Sequence, residues 1–292
     1  MDSQPWAVIT GASSGIGASI ACDAASRGYN VVLAARRKER LQALAADLGR
    51  EYGTKCEIVP CDLQQHAGVK TLQEAHIPGE LGLVVLNAGI CCAGEFASQP
   101  SDDINQMLQL NVVSQTSLLR HFATCLATSA DGGVRRSRGG GTGRILLIAS
   151  SSGAAPGVVG VAAYAASKAY LRSLALGVGA ELRRAKADVT ITCALPGAVD
   201  TEFSRSSGLD SAKIFSLPGV RRLPGGIVLQ PAAVARTAMD ATLRGQREVV
   251  PGFLVRAFVG MTDRRLLPSR IARGIASFSF DTTSLAAPRS SV

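Results

Sequence analysis

Several absences narrow what this chain does before any motif is considered. No apolar run reaches the roughly 18 residues that a membrane span needs. No basic stretch precedes the first apolar segment, so neither a spanning helix nor a secretory signal is expected. The seven cysteines, at 22, 56, 61, 91, 92, 125 and 193, show no metal-ligand spacing, and the chain is too long for a disulfide scaffold. Reduced thiols and a cytoplasmic setting are expected. His66, His76 and His121 form no arrangement with carboxylates or cysteines that suggests a metal site or a nucleophilic triad, so no metal is expected. Ser150 lacks the strand–turn–helix G-x-S-x-G context of a hydrolase nucleophile, and no internal repeat is visible. Charged residues are scarce at 18% while 47% of the chain is hydrophobic, which argues against global disorder and supplies a core.

Charge is unevenly spread. Residues 1–127 hold nine Lys/Arg against twelve Asp/Glu, and residues 128–292 hold 22 against ten, giving −3 and +12 within a net of +9. Such asymmetry can mark an anionic partner. Nucleic acid is not that partner: no aromatics are interleaved with the arginines and no DNA-binding motif is present.

What is present is a rhythm. Short apolar runs at 6–10, 31–35, 56–60, 81–89, 144–150 and 189–197 alternate with helical patterns near 16–27, 38–52, 67–75, 102–127 and 162–182. Strands alternating with helices predict right-handed crossovers and a doubly wound parallel sheet, the Rossmann fold, over residues 1–250. The strands are nearly continuous apolar runs, as burial on both faces requires. Two segments break the pattern: a Gly/Arg/Ser insert at 128–143, read as a surface loop, and an irregular stretch at 202–229, read as a substrate loop.

TGASSGIG, Thr10–Gly17, lies between the first strand and the first helix. An α/β fold binds a pyrophosphate there, because glycines admit the backbone and the helix start offers unpaired N–H groups. At the end of the second strand, where NAD-binding folds place a carboxylate for the ribose hydroxyls, stand Arg36 and Arg37. A carboxylate would repel a 2′-phosphate and an arginine fork would grip it, so NADP is the expected cofactor.

Taken together these motifs resemble the short-chain dehydrogenase/reductase family, and the resemblance covers about residues 5–250. Thr10–Gly17 matches the family's TGxxxGIG loop, Asp62-Leu63 the acidic position at the adenine, and Asn87-Ala88-Gly89 the turn beneath the cofactor. Tyr164 and Lys168 match YxxxK; Pro196, Gly197 and Thr201 match the PG turn and its threonine. The resemblance implies cofactor contacts from Gly11, Ser13, Ser14, Gly15, Ile16, Gly17, Arg36, Asp62, Leu63, Asn87, Ala88, Gly89, Tyr164, Lys168, Pro196, Gly197, Val199 and Thr201. It implies a catalytic serine at the end of the fifth strand. Counting along that strand gives Ser150, the expected residue; counting back from Tyr164 gives Ser151. Asn111 matches an asparagine that holds a water near the lysine.

The chemistry of the pair follows from its spacing. Tyr164 and Lys168 are one helical turn apart and share a face. A free phenol has a pKa near ~10, and an ammonium beside it is expected to lower that value. The resemblance gives Lys168 a second task, holding the nicotinamide ribose. The implied activity is interconversion of a hydrophobic or lipid-like ketone and its secondary alcohol, the alternative being a catalytically silent NADP(H)-sensing protein. A homodimer through the helices at 102–127 and 162–182 is implied. The basic, apolar extension at 251–292 is expected to cover the pocket or a subunit contact through residues 252–280. The alternative is a peripheral contact of those residues with an anionic membrane.

Overall fold

In the computed structural model, residues 4–127, 143–207, 209 and 228–280 are described. The expected surface insert at 128–143 lies outside them except for Gly143, and so does most of the expected substrate loop at 202–229.

Seven strands form one parallel sheet in the order β3-β2-β1-β4-β5-β6-β9. These are β1 (Trp6–Thr10), β2 (Asn30–Ala35), β3 (Cys56–Pro60), β4 (Leu81–Leu86), β5 (Gly143–Ile148), β6 (Val189–Ala194) and β9 (Glu248–Val249). The short strands β7 (Ala198–Val199) and β8 (Val228–Leu229) pair separately beside it. Every residue of β1 and β2 is buried, and alternate side chains enter opposite layers. Ala7 and Ile9 pack with α1 (Gly15–Ser26), α2 (Lys38–Tyr52) and α8 (Pro231–Leu243) through Ile20, Leu41 and Met239. Trp6 and Val8 belong to the other layer, where α5 (Gln115–Ala127) and α6 (Ala162–Arg184) supply Leu118, Phe122 and Leu171. α3 (His66–Gln73) adds Val69 and Leu72 to that layer.

The strand order reverses direction between β1 and β4. Ligands of open α/β sheets bind at such a switch, beyond the carboxyl ends of the strands. The glycine loop after β1 and the Asn87-Ala88-Gly89 turn after β4 both lie there.

The single long helix expected at 102–127 is three pieces. α4 (Ser101–Leu108) and α5 flank a π-helical turn at Gln109–Ser114. An extra residue in a turn leaves the apolar spacing on either side nearly undisturbed, which is why the pattern read as continuous; such turns cluster at functional sites. Here it carries Asn111. Beyond β9, α9 (Phe253–Asp263) and α10 (Ser269–Phe280) fold back onto the sheet's carboxyl end. Val255 and Val259 join the core, and Arg172 of α6 binds both Glu248 and Asp263, with its shortest contacts at 2.6 Å. α7 (Glu202–Ser206) sits over the same end.

Candidate active site

The glycine loop is shaped by what a side chain would strike. A Cβ on Gly17 would stand 2.3 Å from the Gly11 carbonyl oxygen and 2.6 Å from the Asn87 amide nitrogen. Only glycine lets α1 begin this close to the β4 turn. That turn is held from below by the buried Thr10 hydroxyl, which donates to the Val85 carbonyl at 3.1 Å and accepts from the N–H groups of Asn87 and Ala88. Asn87 in turn donates to the Thr10 carbonyl at 3.0 Å. The loop and turn are thus one hydrogen-bonded floor.

At the end of β2 the two arginines part company. Arg36 is exposed, with a 3.5 Å contact to Gln64. Arg37 donates to the hydroxyls of Ser13 and Ser14, both at 2.9 Å, and to the Glu202 carboxylate at 2.8 Å. Arg40 reaches the same carboxylate at 2.6 Å. Arg40 and Arg37 together hold Glu202 far below the usual carboxylate range, at about 2. Asp62 accepts from the Gln64 N–H at 3.1 Å, and Leu63 is buried, its carbonyl accepting from Ser114 at 2.6 Å. Glu202 escapes sequence reasoning because its partners are 165 and 162 residues away. Its position directly after Thr201, in the expected PG–Thr stretch, was the available hint.

Ser150, Tyr164 and Lys168 converge. Ser150 follows β5 with extended backbone, and its hydroxyl accepts from the Ser152 N–H at 3.2 Å and lies 3.0 Å from the Ser152 hydroxyl. Lys168 is buried and donates to the Ile148 carbonyl at 3.1 Å, with its Nζ 5.7 Å from the centre of the Tyr164 ring. Tyr164 is buried against Phe203, ring centres 6.0 Å apart.

The expected lowering of the phenol does not occur in the ligand-free protein. Burial pushes the Tyr164 hydroxyl above its ordinary value, and the buried Cys91 adds to this, while a hydrogen bond with Ser150 pulls the other way. Burial also brings the neighbouring amine of Lys168 down to about 8.

Asn111 has no exposed surface, and its amide clamps one residue. Its Oδ1 accepts from the Ile90 N–H at 3.0 Å; its Nδ2 donates to the Ile90 carbonyl at 2.8 Å and to Ser167 at 3.2 Å. A Cβ on Gly89 would stand 3.2 Å from Asn111 Oδ1 and 3.3 Å from Lys168 Nζ, so residue 89 must be small for both groups to line this space. Ser167 leaves no signal of its own in the sequence, although it sits three residues from Tyr164, whose carbonyl accepts its hydroxyl at 2.7 Å.

The glycine loop from Gly11 to Ile16, Arg36, Arg37, Asp62, the Asn87–Gly89 turn, Ser150, Tyr164 and Lys168 line one cavity of about 1310 Å³, whereas Gly17 and Asn111 are not among its lining residues. Pro196, Gly197, Val199 and Thr201 form its wall beyond β6, and Gly15 and Ile16 its floor. Gln99, Asp103, Gln106 and Ser207 add polar lining, and the C-terminal helices supply an apolar side through Leu254, Val255, Phe258, Ile275, Ala276 and Phe278. Ala276 shares a buried cluster with Tyr164, Cys91 and Val161. Among the described residues no group of His, Cys, Asp and Glu could hold a metal ion.

Comparison with known proteins decides the family. The sequence profile described as short chain dehydrogenase matches residues 5–212. The chain belongs to the short-chain dehydrogenase family. It is thus an oxidoreductase. An uncharacterised oxidoreductase of Mycobacterium tuberculosis is 33% identical over 233 residues, covering 78% of this short-chain dehydrogenase and 86% of that protein. A very-long-chain 3-oxoacyl-CoA reductase of Anas platyrhynchos is 30% identical over 207 residues, 69% of this chain and 62% of that one. Among solved structures, a short-chain dehydrogenase from Sphingobium yanoikuyae in complex with NADPH aligns over 99% of this chain and 98% of that one, at a TM-score of 0.73 and 27% identity.

Proposed function

We propose that this short-chain dehydrogenase interconverts a bulky, apolar, lipid-like ketone and its secondary alcohol with NADPH, Tyr164 being the proton donor and acceptor. The observation that carries the reading is that Ser150, Tyr164 and Lys168 open onto the same cavity as the glycine loop and an apolar wall. The cradle fits a dinucleotide: the glycine loop and the Asn87–Gly89 turn bring backbone to the cavity with no bulky side chain in the way, and the end of β2 offers guanidiniums where a carboxylate would repel a 2′-phosphate. The NADPH bound by the Sphingobium relative and the acyl substrate named for the Anas relative support the choice of cofactor and of substrate class.

NADPH, when bound, supplies the hydride. The chain does the rest. Gly11, Ser13, Ser14, Gly15 and Ile16 present backbone and hydroxyl donors to the phosphates, with Arg36 and Arg37 at the ribose phosphate. Asp62 and Leu63 would hold the adenine, and Ala88, Pro196, Val199 and Thr201 the nicotinamide end. Ser150 holds the ketone oxygen. Tyr164, kept protonated by burial, hands its proton to that oxygen as negative charge develops there. Lys168 would donate to the ribose hydroxyls, and Asn111 positions Ile90 and Ser167 beside it. A protonated phenol is the form that reduction needs.

The protein acts as a homodimer. Val113, Tyr170 and Leu176 leave large apolar surface on the outer faces of the π-turn and α6, which supports pairing there.

The test is NADPH oxidation over a graded series of ketones, from acetone to steroid and long-chain 3-oxoacyl substrates. Turnover that rises with apolar bulk is expected. Tight NADPH binding with no turnover of any carbonyl would instead mark a nucleotide sensor.

A further inference from the structure

The apolar wall of the cavity has a second side. α9 and α10 turn one set of residues inward, with Val255, Val259, Ala272 and Ala276 buried, and another outward. Phe253 of α9 and Ile271 of α10 are 73% and 52% exposed, and Leu266, in the connection between the two helices, is 68% exposed. On α9, Phe253, Ala257 and Met261 follow one another at i, i+4 and i+8, so they form one exposed stripe beside the buried one. On α10, Ile271 and Phe278 are exposed one above the other at i and i+7. An exposed apolar surface of this extent on two adjacent helices marks a surface with a function.

Two further observations say what the surface meets. The first is charge. Residues 252–280 carry five arginines, at 256, 264, 265, 270 and 273, against one acid, Asp263, and that acid is bound to Arg172. All five arginines are exposed. The second is position. Leu254 and Phe278 are 48% and 46% exposed and also line the cavity that holds Tyr164, so the apolar surface is the rim of the pocket itself. α10 is fastened there by Ser277, which accepts from the Val159 N–H at 3.0 Å, and by Arg273, which donates to the Pro156 carbonyl at 3.3 Å.

We infer that α9 and α10 dock this enzyme on an anionic lipid bilayer, with the pocket mouth facing the acyl region so that its ketone enters from the membrane. Apolar side chains flanked by arginines, on helices too short and too charged to span, are what a helix lying in the interface requires. No helix among the described residues is long and apolar enough to cross a membrane. The arginines would gain from the negative surface potential, and the exposed Phe, Leu and Ile from leaving water. The bilayer as substrate source rests on the proposed reduction of an apolar ketone; the docking does not.

The experiment is therefore a binding measurement with no activity in it. The full-length protein is sedimented with vesicles of phosphatidylcholine, alone and mixed with phosphatidylserine, at low and high salt. Cosedimentation with the anionic vesicles at low salt is expected, weakened at high salt by screening. The variant Arg265→Gln/Arg270→Gln should weaken partitioning about tenfold or more. Phe253→Ser/Leu266→Ser/Ile271→Ser, none of which lines the cavity, should abolish it while thermal unfolding and NADPH binding stay near wild type. Should the triple variant fold poorly, the exposed arginine pair still decides the matter. Protein that stays in the supernatant with anionic vesicles overturns the inference. So does binding indifferent to both variants, or a triple variant whose only change is loss of dimer, which would make the surface a contact between two copies.

Discussion

The two ends of this chain use apolar residues in opposite ways. In β1 and β2 every side chain is buried, and the nucleotide floor above them is built by backbone, the Thr10 hydroxyl and a missing Cβ at Gly17. In α9 and α10 the apolar side chains both wall the cavity and stand in water at its rim. The first arrangement fixes a ligand that must always be the same. The second suits a ligand defined by bulk and greasiness, because side chains at a rim adapt where a backbone cradle does not. Changes in the cradle should therefore act nearly all-or-none, and changes in the tail by degrees.

The largest expected effect lies where the two meet. Tyr164→Phe keeps the ring that packs on Phe203 and removes only the proton. Turnover should fall by roughly 10²–10⁴-fold, the usual contribution of a positioned acid, with NADPH affinity close to wild type. Stopped-flow reduction and fluorescence titration of NADPH separate the two quantities. Near-normal turnover in this variant would remove Tyr164 from the mechanism and leave Ser150 without a partner.

A smaller effect probes how the tail is attached. A Cβ on Gly197 would stand 2.7 Å from Val255 Cγ2, so Gly197→Ala should push α9 off the wall of the site. Crowding of this kind costs about 1–3 kcal/mol. Thermal unfolding should report that loss, and the KM for a bulky ketone should rise more than that for a small one. The double variant Gly197→Ala/Val255→Ala should recover much of both, since the clash is between these two side chains. Had the obstacle been a backbone oxygen, as at Gly17, no partner substitution would relieve it. Failure of the double variant to recover would mean that α9 is held elsewhere, with Arg172 the first suspect.

Much of this was legible in the sequence, for physical reasons that also mark the limits. Five of the six main strands are largely buried apolar runs, and the edge strand β3 keeps enough apolar residues to be read although it is half exposed; β9 is two residues long and partly buried, and leaves no such trace. The glycine loop, Asn87–Gly89 and the Tyr164–Lys168 pair are local motifs whose spacing carries their geometry. Glu202 on Arg37 and Asn111 on Ile90 are contacts across 165 and 21 residues, set by how elements stack. The direction of the phenol's shift was not legible because proximity to an amine is visible in the sequence and the burial of the phenol itself is not; the amine is buried as well.

That burial supports the smallest and most specific expectation. Burial brings Lys168 well below the ordinary lysine value, to about 8, because a charge is costly where it sits. Its proposed task in the bound state is to donate hydrogen bonds to ribose hydroxyls near the negative charge of the phosphates, which favours the ammonium. Binding therefore raises its pKa. A base whose pKa rises on binding contributes affinity that is fully present below the free value and lost as pH climbs through it. The Kd for NADPH should accordingly be flat up to about pH 7 and then weaken by up to about tenfold per pH unit above pH 8, until the bound-state pKa is reached. Lys168→Met should bind more weakly throughout and show no such slope. A wild-type Kd that is level from about pH 7 to about pH 10 would mean that the amine is charged, or neutral, in both states. Either result would place the burial of Lys168 in the service of packing the small-residue helix, with the ribose held by the Asn87–Gly89 turn alone.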